Sequence, residues 1–148
     1  MLFDRYLRNK SPHGEHTLVL HKEIDEIKKL EGFISSVVQD NNIDPSHVVG
    51  LNLALEEAVT NVIMYAYPDD VDGKMELRAT YEAPRLEFVL ADWGVPFDPT
   101  SKGEVDVNLA AEDRPVGGLG IHLVRNLMDS VKYERKDGKN ILTMTKII

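Results

Sequence analysis

The residues of this sequence whose types and spacing are best suited to chemistry are Glu57 and Asn61, in the run LNLALEEAVTNVIMYAY. In a helix, side chains four positions apart stand one above the other on the same face. The side-chain carbonyl of Asn61 is a hard oxygen suited to Mg²⁺, and the carboxylate of Glu57 can take a proton from an attacking hydroxyl or water. A Glu/Asn pair is also common on a solvated helix edge, so the pair alone leaves a structural role open.

A second candidate is Asp92, the first residue of the segment DWGVPFDP. The alternating pattern before it predicts a strand, so its carboxylate is expected at a strand end, where it could accept a hydrogen bond from an exocyclic amine such as that of adenine. Gly94 would supply the backbone freedom or the close approach that a purine ring demands. Taken alone, an Asp-x-Gly sequence is an ordinary turn signal.

A third candidate is the glycine-rich run PVGGLGIHLV, which contains Gly117, Gly118 and Gly120. Closely spaced glycines expose backbone N–H groups, and the helix predicted to follow presents its positive dipole end to the same place. Such an arrangement can hold phosphates. The alternative is a flexible hinge before an ordinary helix, and the run is not a Walker loop because no Gly-Lys-Ser/Thr follows.

The elements that must position these candidates follow from hydrophobic periodicity. An apolar stripe at helical spacing marks the helix that carries Glu57 and Asn61, and its members are Val48, Leu51, Leu55, Ala58 and Val62. The predicted order is strand, helix, helix, strand, strand, loop, helix, strand, strand. Asp44 is the expected N-cap of the central helix, and tight turns are expected at Ala83-Pro84 and Asp137-Gly138. Hairpin strands with three helices on one face indicate an α+β two-layer sandwich.

Composition narrows the class of protein. The 148 residues fit one domain, expected at 16–148, after a polar and flexible N-terminal arm at 1–15. The absence of cysteine excludes disulfides and thiol catalysis, and the net charge of −8 argues against a direct nucleic-acid footprint. No apolar run long enough for a membrane helix is apparent, so a cytoplasmic protein is expected.

Three of these segments together resemble a known family. The runs EEAVTNVIMYAY, DWGVPFDP and GGLGIHLVRNLMD look like the N, G1 and G2 boxes of the ATPase/kinase superfamily of gyrase, Hsp90, histidine kinases and the mismatch-repair ATPase. The Pro96–Pro99 tail and the ending at Asp129 are most similar to the anti-sigma factor serine kinases. The sequence departs from many of those relatives at Tyr65, where they carry His.

The resemblance implies a Bergerat ATP-binding fold, in which a mixed, mostly antiparallel sheet lies under the helices and a lid, here Thr100 to Val116, covers the nucleotide. It implies ATP and Mg²⁺ as cofactors and assigns a role to each matching position. By this resemblance Asn61 would bind Mg²⁺, and Glu57 would act as the general base. Asp92 and Gly94 would bind adenine, and the phosphates would be held by Gly117, Gly118 and Gly120.

The same resemblance implies partners. Such proteins sequester a sigma factor and phosphorylate an anti-anti-sigma protein on Ser or Thr, and they form homodimers. We therefore expect an ATP-dependent serine/threonine kinase that also blocks a sigma factor. The alternative is a non-catalytic module in which nucleotide occupancy sets the shape of a protein-binding surface.

Overall fold

The computed structural model describes residues 15–68, 72–100 and 118–148, and these form an α+β two-layer sandwich, as predicted. One layer is a five-stranded sheet in the order β1-β2-β3-β5-β4. All four strand pairings among the described residues are antiparallel, whereas the family resemblance implied a mixed sheet. The strands are β1 His16–His21, β2 Lys74–Glu82, β3 Arg85–Asp92, β4 Ser130–Lys136 and β5 Lys139–Ile147.

The second layer contains three α-helices, α1 Lys29–Asp40, α2 Val48–Tyr65 and α3 Gly118–Leu127. The first predicted helix is divided, because Ile24–Lys28 form a 3₁₀ turn before α1 begins. A second 3₁₀ turn, Pro45–His47, precedes α2, and Asp44 caps it by accepting a hydrogen bond from the Ser46 backbone N–H at 3.0 Å. The predicted order of elements is therefore confirmed. The arm at 1–14 lies outside the described residues.

Helix α2 is the central element of the hydrophobic core. Its buried apolar residues are Leu51, Ala54, Leu55, Ala58, Val59 and Val62. By length and composition alone, Pro45–Tyr65 could cross a membrane, with a mean hydropathy of 1.2, which the sequence analysis did not anticipate. Because these side chains pack in the core beneath the other elements, the apolar character of α2 is accounted for by the fold itself.

The register of the strands brings apolar residues into rows across the face that packs against the helices. One such row is formed by Leu77 on β2, Leu90 on β3 and Leu142 on β5. Side chains alternate between the two faces of a sheet, so the row two residues further along faces the helices as well. That row contains Asp92 opposite Asn140, and it places two buried polar side chains at the end of the apolar face.

Two leucines of α2 give a matched test of this arrangement. Leu55 is fully buried and Leu53 is 39% exposed. Leu55→Ala should lower the free energy of unfolding by about 2–5 kcal/mol, because buried methyl groups are lost and a cavity remains. Leu53→Ala has the same change in helix propensity and should cost less than about 1 kcal/mol. Urea denaturation followed by circular dichroism measures both, and equal losses would contradict the assigned helix face.

Candidate functional site

The carboxylate of Asp92 is buried at the end of β3, where its residue is 2% exposed. Its Oδ1 accepts hydrogen bonds from the Gly94 backbone N–H and from Asn140 Nδ2, each at 2.9 Å. Burial raises the pKa of Asp92 above its ordinary value, while these two hydrogen bonds and the charge of Arg135 oppose the rise. The carboxylate of Asp92 thus lies at a strand end, as the sequence predicted, and its burial is a finding of the structure.

Asn140 is the residue that organises this end of the sheet, and it is 4% exposed. Besides Asp92, its Nδ2 donates to the Val95 carbonyl at 2.8 Å. Its Oδ1 accepts from the Phe97 backbone N–H at 3.1 Å, the Tyr133 hydroxyl at 2.6 Å and Arg135 Nη1 at 3.3 Å. One amide therefore fixes both the carboxylate and the loop that follows it. Sequence reasoning missed Asn140, because only the register of β3 against β5 reveals it.

The loop after Asp92 also packs directly on the end of α2. The Val95 backbone N–H donates to the Ala66 carbonyl at 2.7 Å, and Arg135 Nη1 donates to the Gly94 carbonyl at 2.9 Å. A Cβ atom on Gly94 would lie 2.2 Å from the Ala66 oxygen, so a side chain there would displace the loop. Backbone packing thus requires glycine at this position, and the approach of Gly94 to a purine ring stays a prediction.

Asn61 is 3% exposed, and its buried Nδ2 has no hydrogen-bond partner among the described residues. A buried polar atom without a partner is costly and requires an explanation, such as a ligand that is not part of the protein. Asn61 and Asp92 line the same small cavity between α2 and the sheet, together with Ala58, Val62, Leu90, Phe97, Pro99, Tyr133, Asn140 and Leu142. The structure therefore brings these two predicted site residues together.

The cavity is narrow in this conformation, with a volume of about 10 Å³, which is room for the centre of about one water molecule. Phe97 forms part of its wall and stacks on Tyr65, with ring centroids 5.3 Å apart and planes at 24°. An adenine ring is larger than this cavity, so part of the wall must move to admit one. The stacking of Tyr65 on Phe97 helps to hold this part of the wall in place.

The remaining predicted residues are not among the described residues that line this cavity, or they lie outside the described part of the chain. Glu57 is half-buried one turn before Asn61 on α2, and it is not among the described residues that line the cavity. Gly118 and Gly120 are in the first turn of α3, and Gly117 lies outside the described residues. Of the predicted lid, only Thr100 is described, and its carbonyl accepts from Arg125 Nη2 at 2.7 Å.

With this geometry established, comparison with known proteins defines the class. Residues 20–146 match the family described as the histidine kinase-like ATPase domain. Because the match covers most of the chain, the protein belongs to the histidine kinase-like ATPase family. The superfamily that the three sequence segments resemble is thereby confirmed.

Curated relatives place the chain within that family. The serine-protein kinase RsbW of Bacillus cereus strain AH187 is 36% identical over 139 residues, 91% of this chain and 79% of that protein. The RsbW of Bacillus cereus strain G9842 is 38% identical over 102 residues, 66% of this chain and 62% of that protein. The chain thus spans less than two thirds of the length of some of these relatives. The anti-sigma factor serine kinase branch, predicted from the sequence, is confirmed.

A solved structure supports the fold independently. The crystal structure of the RsbU and RsbW domains of a Mycobacterium tuberculosis protein matches with a TM-score of 0.62, covering 90% of this chain and 32% of that chain. At 14% sequence identity this likeness concerns the fold alone. It confirms the α+β sandwich.

The raised pKa of Asp92 gives a testable dependence of stability on pH. Because the folded protein holds this proton more tightly than the unfolded chain, where the pKa is near 3.8, it loses stability as the pH rises through the folded pKa. Asp92→Asn keeps the shape and the acceptor oxygen but removes the ionisation. The variant should therefore gain stability relative to the wild type as the pH rises from about 4 to 7.

Urea denaturation of both proteins at several pH values measures this difference. Contributions from all other ionisable groups cancel when the two free energies of unfolding are subtracted at each pH. If the difference in the free energy of unfolding stays constant across this pH range, burial does not penalise the ionised carboxylate. The same conclusion follows if the wild type gains stability relative to Asp92→Asn as the pH rises.

Proposed function

We propose that this protein is an ATP-dependent protein serine/threonine kinase that sequesters a sigma factor and phosphorylates an anti-anti-sigma protein. The observation that carries the proposal is the cavity shared by Asn61 and Asp92, in which the buried amide nitrogen of Asn61 has no partner in the part of the chain that the structure describes. The similarity to serine-protein kinases RsbW over 91% of this chain supports the same activity. The cytoplasm is the expected location.

Asp92 is suited to recognise the adenine ring. Both of its hydrogen bonds to the described residues fall on Oδ1, which leaves Oδ2 to accept from an exocyclic amine. Gly94 acts indirectly in this proposal, by allowing the loop to pack against Ala66 and so fixing the carboxylate. Because the cavity excludes bulk water, each hydrogen bond made there discriminates strongly between bases.

The phosphates are expected at the N-terminal end of α3. Gly117, Gly118 and Gly120 would present backbone N–H groups to them, and the helix dipole would favour their negative charge. The side-chain oxygen of Asn61 is a hard ligand that would hold Mg²⁺, whereas its buried Nδ2 is a donor that would require an acceptor from the bound ligand. Bound Mg²⁺ would supply charge neutralisation at the phosphates.

Glu57 is proposed as the general base. It lies one turn before Asn61 on α2 and is half-buried, so it remains accessible to an incoming hydroxyl group. In this role its carboxylate orients the Ser or Thr hydroxyl of the substrate and accepts its proton as the phosphoryl group is transferred. Positioning supplies most of the catalysis in such reactions, which fits a site built on a rigid helix.

Partner recognition and assembly complete the proposal. The sigma factor, the anti-anti-sigma protein and a homodimeric state are all carried over from the family. We further propose that residues 16–148 form the single ATP-binding domain and that the preceding residues are an arm. The alternative function is a nucleotide-dependent binding module without phosphotransfer, in which Glu57 has no chemical role.

Adjacent glutamates on α2 separate these possibilities. Glu57→Gln should lower the rate of phosphotransfer to the anti-anti-sigma protein by about 10²–10⁴-fold, because the base is lost, while the affinity for Mg-ATP changes little. Glu56→Gln is the matched control, because Glu56 is the neighbouring half-buried residue and accepts a hydrogen bond from Asn52. Transfer from radiolabelled ATP in single-turnover conditions measures both variants.

Two outcomes would contradict the proposal in different ways. Equal rates for the wild type and Glu57→Gln would remove the general-base role but leave the kinase activity in place. Tight ATP binding with no transfer to any anti-anti-sigma candidate would instead support the non-catalytic binding module.

A further inference from the structure

A second concave surface lies outside the Asn61 cavity, on the other side of the Asp92 loop. It is an open groove of about 610 Å³, lined by Tyr67, Pro68, Asp72, Gly73, Lys74, Trp93, Gly94, Val95, Pro96 and Arg135. Two of its apolar residues are partly exposed, Trp93 at 40% and Val95 at 48%. Contiguous exposed apolar surface is a common mark of an interaction site.

Two lysines lie close to the Trp93 ring of this groove. Lys74 Nζ lies 5.3 Å and Lys139 Nζ lies 5.7 Å from the centre of the Trp93 ring. The two lysines stand on the strands at either side of β3, so the indole is between two cations. Neither ammonium group forms a salt bridge with a carboxylate of the described residues. Among the described residues of the lining, Asp72 is the one acidic residue.

Arg135, the third cation, is already engaged. It donates to the Gly94 carbonyl and to Asn140, both of which belong to the inner network around Asp92. Its Nη1 is therefore occupied, although its charge is not neutralised, and an incoming carboxylate would pair chiefly with Lys74 and Lys139. Their ammonium groups are no more than about 11 Å apart, a span that an extended peptide covers in about three residues.

The net charge of the whole chain limits which kinds of ligand could bind in this groove. A net charge of −8 repels extended polyanions such as nucleic acids or anionic membranes. A short acidic segment responds chiefly to the local field, because screening limits interactions to about 8 Å at physiological ionic strength. Trp93 and Val95 add an apolar surface that a simple anion does not need.

We propose that this groove is a docking site for an acidic segment of a partner protein, in which an apolar side chain contacts Trp93 and flanking carboxylates pair with Lys74 and Lys139. The site is separate from the nucleotide cavity and requires neither ATP nor phosphotransfer. Its test is therefore independent of the proposed kinase function.

Trp93 is the only tryptophan of the chain and reports directly on the groove. The probe is the acetylated and amidated peptide Glu-Glu-Leu-Glu-Glu, titrated into the full chain without nucleotide while tryptophan fluorescence is recorded. A saturable change in emission is expected, and the matched peptide Gln-Gln-Leu-Gln-Gln should bind at least about tenfold more weakly. Added salt should weaken the binding of the acidic peptide and leave the binding of the neutral peptide unchanged.

Charge reversals locate the effect. Lys74→Glu/Lys139→Glu should raise the half-saturating peptide concentration at least about tenfold. The control variant Lys28→Glu/Lys132→Glu makes the same change in net charge at two exposed positions elsewhere. It should change the half-saturating peptide concentration less than about threefold. The milder Lys74→Gln/Lys139→Gln pair tests the same point if the reversal destabilises the fold. No saturable response in the wild type, equal binding of both peptides, or equal losses in the two reversed pairs would overturn the proposal.

Discussion

The hydrogen bond between the buried carboxylate of Asp92 and the side-chain amide of Asn140 is the interaction on which this site depends. It joins the ends of β3 and β5, which are adjacent strands, and the same amide holds the backbone at Val95 and Phe97. Removing it would leave several buried groups without partners, at a cost of about 1–3 kcal/mol each. The carboxylate is thus held in one orientation before any ligand arrives, which is the condition for selective recognition.

The sheet register determines why this pair occurs where it does. Apolar rows cover the helix-facing side of β2, β3 and β5, and the final row becomes polar at Asp92 and Asn140. Helix α2 lies over the same face and brings Asn61 to the edge of this polar row. The core therefore has two functions, since the packing that stabilises the domain also positions the polar groups of the cavity. The loop after Asp92 separates this cavity from the groove at Trp93.

The order of elements, the face of α2 and the position of Asp92 at a strand end were predictable from the sequence, because periodicity and turn residues are local signals. Asn140 was not, since its role follows from cross-strand register, which a single sequence does not specify. The sequence also identified Gly94 as a special position but not its contact with Ala66, because that contact depends on tertiary packing. The pair of lysines beside Trp93 was missed because the two are distant in sequence and meet only across the sheet.

The measurement that tests the central claim most directly is calorimetric titration of Mg-ATP and Mg-GTP into the wild type, with Mg-ATP also titrated into Asp92→Asn. If the carboxylate held by Asn140 reads the exocyclic amine of adenine, ATP should bind at least about 100-fold more tightly than GTP, which has a carbonyl at that position. Asp92→Asn should lose at least about tenfold in ATP affinity while remaining folded. Equal binding of the two nucleotides, or ATP affinity unchanged in the variant, would contradict the account.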